Sequence, residues 1–82
     1  MIEEILSELD LRGVRWLVES IAARYRVTIA ELLGGDRRPR TARARHELFG
    51  SLWGSGWSYS EIGRTLRVNH TTVMAGVRRD LA

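Results

Sequence analysis

The chain has 82 residues, 44% of them hydrophobic, with 13 basic and 10 acidic side chains and a formal net charge of +3. This length suits one small domain, residues 1–82, and the lack of cysteine excludes a disulfide framework and a thiolate metal site. No apolar run approaches the roughly 20 residues needed to span a membrane, and the acidic start is unlike a signal peptide, so we expect a cytoplasmic protein.

Apolar residues recur at helical spacing through the first 25 positions. Positions 2, 5, 6 and 9 predict a short helix with an acidic outer face, and a second stripe from Val14 to Tyr25 predicts a longer, core-packed helix. Asp10 either caps this second helix or lies inside one helix that continues to Arg26. We expect residues 1–12, an acidic helix or linker, either to pack on the domain or to present a face to a protein partner or to a second copy.

The next segment combines a short helix with an arginine-rich run. Thr28 and Glu31 have the spacing of a capping box, which predicts a helix through Leu33 that Gly34 and Gly35 end. Five arginines follow within residues 37–45. Because Pro39 disfavours helix before it, we expect an extended loop that gives way to helix near Thr41 or Ala42.

The charge is distributed unevenly along the chain. Residues 1–36 hold four arginines against seven acids, whereas residues 37–82 hold nine against three, and all 13 basic residues are arginine. Codon bias in a GC-rich genome explains the lack of lysine most simply, and a charged run is usually a solvated face. Arginine nevertheless binds phosphates and guanine edges bidentately, so the run favours nucleic acid. Arg37, Arg38 and Arg40 are predicted to reach a minor groove, and Arg43 and Arg45 to bind phosphates.

The second half of the chain predicts three further helices. Leu48, Phe49, Leu52 and Trp53 form the apolar side of the first, which ends at the Gly-Ser-Gly of residues 54–56. Ser58 and Glu61 form a second capping box, and Trp57 before it is expected to staple the helix entry to the core rather than to stack on a base. Small Gly63 suggests that a neighbouring backbone approaches there. Residues 58–80 therefore predict a helix-turn-helix, with its second helix at residues 70–81, in an all-α domain of five or six helices.

Four polar residues open that second helix. Asn69 is a good helix cap, and capping alone is one reason for the polar start. His70, Thr71 and Thr72 exceed what one cap requires, and this is where a helix-turn-helix normally contacts bases. Asn69, His70 and Thr71 are accordingly predicted to read bases, and Thr72 to bind a phosphate. Arg64 and Arg78, on the two helices of the motif, are predicted to bind phosphates as well.

The sequence contains no recognisable catalytic pattern. A phosphate-binding loop needs a lysine that the chain lacks, and no metalloprotease helix, calcium-binding loop or nucleophile elbow is present. His46 and His70 lie apart without a third ligand spaced around either. We therefore expect no enzyme, cofactor, nucleotide or metal site.

Two segments carry a resemblance to a known family. The Tyr-Ser-Glu-Ile-Gly-Arg of residues 59–64 and the Asn-His-Thr-Thr-Val of residues 69–73 resemble the C-terminal DNA-binding domain of the bacterial replication initiator DnaA. Residues 21–33 are similar to its first two helices and residues 37–45 to its basic loop, so the resemblance covers about residues 14–80. It implies base reading by His70 and Thr71, phosphate contacts by Thr72 and Arg45, a minor-groove role for Arg38 or Arg40, and a bacterial, nucleoid-associated protein.

The chain also departs from the family pattern. Asn69 stands where the family has Asp, the turn before it is shorter, and Trp53 stands where the family has a basic residue. The initiator's ATPase module is absent, which implies either a stand-alone regulator or competitor for initiator sites, or a domain of a larger initiator. We predict sequence-specific binding of double-stranded DNA in replication or transcription control. The alternative is a protein-interaction module that uses the acidic N-terminal helix, with non-specific nucleic-acid binding by the arginine-rich run.

Overall fold

The computed structural model describes all of residues 1–82, which form six α-helices and no strand, as the sequence predicts. The helices in chain order are α1 (Ile2–Leu11), α2 (Arg15–Tyr25), α3 (Ile29–Leu33), α4 (Pro39–Gly54), α5 (Tyr59–Leu66) and α6 (His70–Leu81). None of them has both the length and the apolar character needed to cross a membrane.

The first two helices are separate, and Asp10 caps neither of them. Gly13 adopts a left-handed backbone with φ of +74°, which glycine tolerates better than other residues. The turn is closed by the Val14 amide, which donates to the Leu9 carbonyl at 2.9 Å. The N-cap of α2 is Val14, without a side-chain hydrogen bond. Both expectations for Asp10, a cap and a place inside one continuous helix, are therefore wrong, because the glycine turn ends α1 one residue after it.

Both predicted capping boxes are confirmed. The Glu31 amide donates to Thr28 Oγ1 at 3.0 Å, and the Thr28 amide donates back to Glu31 Oε1 at 2.8 Å. Ser58 and Glu61 make the same reciprocal pair, with both bonds at 3.0 Å. Local sequence thus determines where α3 and α5 begin.

The helix that carries the arginine run begins earlier than predicted. Pro39 is the first residue of α4, where its missing amide hydrogen has no consequence and its fixed φ already suits the helix. Arg38 before it is extended, with φ of −62° and ψ of 145°. Arg40 therefore lies on the first turn of α4, and the expected extended loop through Thr41 is wrong.

The core is one cluster of 15 buried apolar residues contributed by all six helices and by Trp57. Helix α4 lies at its centre and packs against α2, α3, α5 and α6. Trp57 is buried, as expected of a residue that staples the helix entry to the core. Helices α4 and α6 approach closely where Gly76 faces Phe49, since a Cβ on this glycine would lie 2.5 Å from the Phe49 ring. This packing orients α6 and leaves its N-terminal turn in solvent.

The apolar side of α1 is part of this core. Ile5 and Leu9 are fully buried, and the helix packs against α5. The Arg12 guanidinium pairs with Glu61 at 3.3 Å and lies 3.9 Å above the Trp57 ring. Residues 1–12 were predicted either to pack on the domain or to present a face to a partner. The apolar side of α1 packs on the domain.

Candidate nucleic-acid interface

The junction between α5 and α6 consists of three residues that fold back onto Gly63. The Val68 amide donates to the Gly63 carbonyl at 2.9 Å. A Cβ on Gly63 would lie 2.7 Å from the Val68 carbonyl oxygen, so a larger residue would displace the turn. Arg67 has a left-handed backbone with φ of 63°. The close backbone approach predicted at Gly63 is confirmed, and it brings the start of α6 beside α5.

The four polar residues that open α6 are all exposed to solvent. Asn69 caps the helix, since its Oδ1 accepts from the Thr71 amide at 2.9 Å and from Thr71 Oγ1 at 2.8 Å. The prediction that Asn69 caps α6 is therefore confirmed. The Asn69 Nδ2, the His70 ring and the Thr72 hydroxyl of these exposed residues make no intramolecular hydrogen bond.

A cleft of about 350 Å³ lies beside this helix start. Ser60, Gly63 and Arg64 of α5 line one side of it, and residues 67–70 line the other. The structure thus brings together three residues that the sequence assigned to DNA, namely Arg64, Asn69 and His70. The structure also places Arg67 in this cleft. The only feature of the sequence that pointed to Arg67 was its position in the shortened turn.

Within the arginine-rich run, the ion pairs involve Arg38 alone. Its Nε lies 3.1 Å from Asp36 Oδ2, and its Nη2 pairs with Glu31. Hydrogen bonding to Asp36, together with the charges of both acids, raises the pKa of Arg38 above its ordinary value. Arg37, Arg40 and Arg43 are exposed. Of the three arginines predicted for a minor groove, Arg37 and Arg40 are therefore free to bind, whereas Arg38 would first have to leave its carboxylates.

Arg45 has a role inside the protein that sequence reasoning missed. Its Nε donates to the Leu32 carbonyl at 3.1 Å, and its Nη2 donates to the carbonyls of Glu31 and Gly34 at 3.0 Å each. These carbonyls belong to the C-terminal end of α3. The last carbonyls of a helix have no amide donor within the helix, so Arg45 satisfies groups that would otherwise lack a partner. Partial burial lowers the pKa of Arg45. The Arg45 guanidinium therefore caps α3, and its predicted contact with a DNA phosphate stays a prediction.

A second cleft, of about 360 Å³, lies between the end of α2 and the start of α4. Arg38 and Arg40 line it together with Arg26, whose backbone is left-handed with φ of 56°. No sequence pattern pointed to Arg26, which stands directly after the last residue of α2. Arg64 and Arg78 are exposed on α5 and α6.

Comparison with known proteins adds no assignment. No family model, no curated protein and no solved structure matched this chain. The resemblance to the initiator's DNA-binding domain therefore remains a prediction from residues 14–80, and a functional conclusion depends on the geometry of the α5–α6 junction and of the exposed arginines.

Proposed function

We propose that the protein binds double-stranded DNA sequence-specifically, with α5 and α6 as a helix-turn-helix and α6 in the major groove. The observation that carries this proposal is the exposed first turn of α6. There the His70 ring, the Thr71 methyl and the Asn69 amide nitrogen are presented together beside an arginine-lined cleft. Such a turn is the part of a recognition helix that meets base edges.

The hydrogen bonds within this turn define what each residue can read. Because Asn69 Oδ1 is occupied by Thr71, Asn69 acts towards DNA as a donor through Nδ2, which suits a purine N7, a guanine O6 or a thymine O4. His70 can bond a purine acceptor, and the Thr71 methyl can pack on a thymine methyl. Thr72 suits a backbone phosphate, assisted by the His70 amide, because the Thr71 and Thr72 amides already donate to Asn69.

The exposed arginines supply the contacts that do not depend on sequence. Of the two arginines that the resemblance assigns to the minor groove, Arg40 on the first turn of α4 is the better placed, since Arg38 is held by Asp36 and Glu31. Arg37, Arg43, Arg64 and Arg78 are the candidates for phosphates. Neutralising about five phosphates would give a log–log salt slope of roughly −4.5. The resemblance to the initiator favours a role in replication initiation or transcription.

Selection of binding sites from random duplex DNA, followed by fluorescence anisotropy on the selected and on a scrambled duplex, tests the proposal. His70→Ala and Thr71→Ala should each weaken binding to the selected duplex by about 1–3 kcal/mol and change binding to the scrambled duplex little. Arg43→Met is the matched control, because loss of a phosphate contact should weaken both duplexes alike. Equal losses on both duplexes for His70→Ala would remove the assignment of base reading.

A second candidate function is self-association or protein binding through the N-terminal segment. Its support is the exposure of two large apolar side chains beside the α1–α2 turn, Leu11 at 86% and Trp16 at 64%. On the apolar side of α1, Ile5 and Leu9 are fully buried in the core and are therefore not available to a partner. Sedimentation equilibrium tests the homodimer form of this candidate, which predicts a dimer that Trp16→Ala dissociates.

A further inference from the structure

Arg67 stands between the acidic face of α1 and the cleft beside the α6 start. Its Nη2 lies 3.4 Å from Glu4 Oε2 and 3.9 Å from Glu8 Oε1. The same side chain is 42% exposed and lines the cleft with Arg64, Asn69 and His70. One guanidinium is therefore shared between two carboxylates of this chain and the surface that we propose for DNA.

The two carboxylates are held in place by the fold. Ile5, next to Glu4, and Leu9, next to Glu8, are fully buried, so both acids lie on a helix anchored in the core. Arg12 ties the end of the same helix to α5 through Glu61. The acids consequently stay near the α5–α6 junction and do not move away as a disordered tail would.

Carboxylates and DNA phosphates compete for the same donor. An exposed ion pair contributes little to stability, whereas each neutralised phosphate also releases condensed counterions. A phosphate can therefore displace Glu4 and Glu8 from Arg67, but it must overcome their attraction for the arginine and their repulsion of the DNA backbone.

We infer that Arg67 is a further phosphate-binding residue and that Glu4 and Glu8 of α1 act as an intramolecular competitor that weakens its contact with DNA. This inference rests on the proposed DNA-binding function. Since phosphates are the same in every sequence, the competition lowers the affinity for selected and random duplexes by the same factor. It leaves the base reading by α6 unchanged.

The test uses charge-removing variants of the whole chain, because deletion of α1 would take Ile5 and Leu9 out of the core. Glu4→Gln with Glu8→Gln should tighten binding to both duplexes by about threefold to tenfold at about 0.1 M salt, where the Debye length is about 10 Å, and steepen the log–log salt slope by up to about 0.9. The matched control is Glu3→Gln with Asp10→Asn, which removes two charges from the same helix at acids that do not pair with Arg67. Because their effect on DNA is only long-range and screened by salt, the control should change affinity less than about twofold.

The Arg67→Gly variant tests whether Arg67 is the arginine that the Glu4 and Glu8 substitutions free for a DNA phosphate. Glycine adopts the left-handed backbone at this position without steric cost, so the variant should fold normally by circular dichroism. In the Arg67→Gly background the Glu4 and Glu8 substitutions should have no more effect than the control pair. A gain that persists there, or equal gains from the two double variants, overturns the inference while leaving DNA binding intact. A wild-type protein whose affinity for DNA is absent or independent of salt overturns the proposed function itself.

Discussion

Arg45 and Arg43 offer a direct comparison of a structural arginine with one that we propose for DNA binding, because they lie two residues apart on α4. Arg45 donates three hydrogen bonds of 3.0–3.1 Å to the end of α3 and is partly buried. Arg43 is exposed. Substitution of each by Met keeps an unbranched, helix-compatible side chain and removes the guanidinium.

The expected loss for Arg45→Met follows from these three bonds. A hydrogen bond to a charged group contributes about 1.5–3 kcal/mol net, and water can replace part of these bonds in the variant because Arg45 is only partly buried. A net loss of about 2–3 kcal/mol is therefore expected. For a domain of this size that lowers Tm by roughly 10–20 °C. Helix α3, with only five residues, depends on such external partners because a helix this short is not stable alone. Arg43→Met should change stability by less than about 0.5 kcal/mol.

Thermal unfolding followed by circular dichroism measures the change in stability, and salt titration of DNA binding measures the loss of a phosphate contact. At a temperature where both variants are folded, Arg45→Met should retain the wild-type salt slope, whereas Arg43→Met should lose about 0.9 from it. An Arg45→Met protein with wild-type Tm and a reduced salt slope would refute the reasoning. That result would show that Arg45 binds a DNA phosphate and contributes little to the stability of α3.

Two further predictions concern the packing and capping that position the site. Gly76→Ala should destabilise the protein by roughly 1–2 kcal/mol in urea unfolding, because its Cβ would lie 2.5 Å from the buried Phe49 ring and overpacking outweighs the gain in helix propensity. Gly50→Ala, the matched control on α4, should cost less than about 0.5 kcal/mol, since its Cβ would meet the Asp80 carboxylate, which can rotate away, and the Asp80 Cβ at 3.2 Å, and the gain in helix propensity offsets the small shift that this contact requires. Equal losses for the two would contradict this account. Hydrogen bonds from backbone amides hold the pKa of Glu31 and Glu61 below the ordinary 4.5, so both stabilise the fold above about pH 4.5 and lose this contribution as the pH falls through their lowered pKa values. Replacement of both by Gln, which still caps, should therefore reduce the loss of unfolding free energy between about pH 6 and about pH 3; an unchanged acid profile would show that their charge is immaterial.

Sequence reasoning succeeded where a structure depends on residues close together in the chain. The capping boxes at Thr28 and Ser58 involve partners three residues apart, and both were predicted correctly. The close approach at Gly63 was also predictable, because a residue without a Cβ leaves room for the backbone of the short turn that follows it. The start of α4 was placed too late because Pro39 was taken as part of a loop, although proline is equally suited to the first position of a helix.

Sequence reasoning missed the intramolecular partners of individual arginines where the partner is distant in sequence. Arg45 meets carbonyls 11 to 14 residues away, and Arg67 meets Glu4 across 63 residues. No spacing rule links such positions. Arg40 and Arg43, which the structure leaves exposed, could not be told from Arg45 by their place in the run.

The sequence by itself determined the all-α class, the two capping boxes and the polar start of α6, because helical periodicity and capping involve side chains within about four positions. Only the tertiary structure decided which arginines are free, since the packing of α3 against α4 and of α1 against α5 supplies the oxygens that occupy Arg45 and Arg67. The polar start of α6 is therefore a local property of the chain. The set of charges around it is a property of the fold, because electrostatic partners are chosen by distance in space.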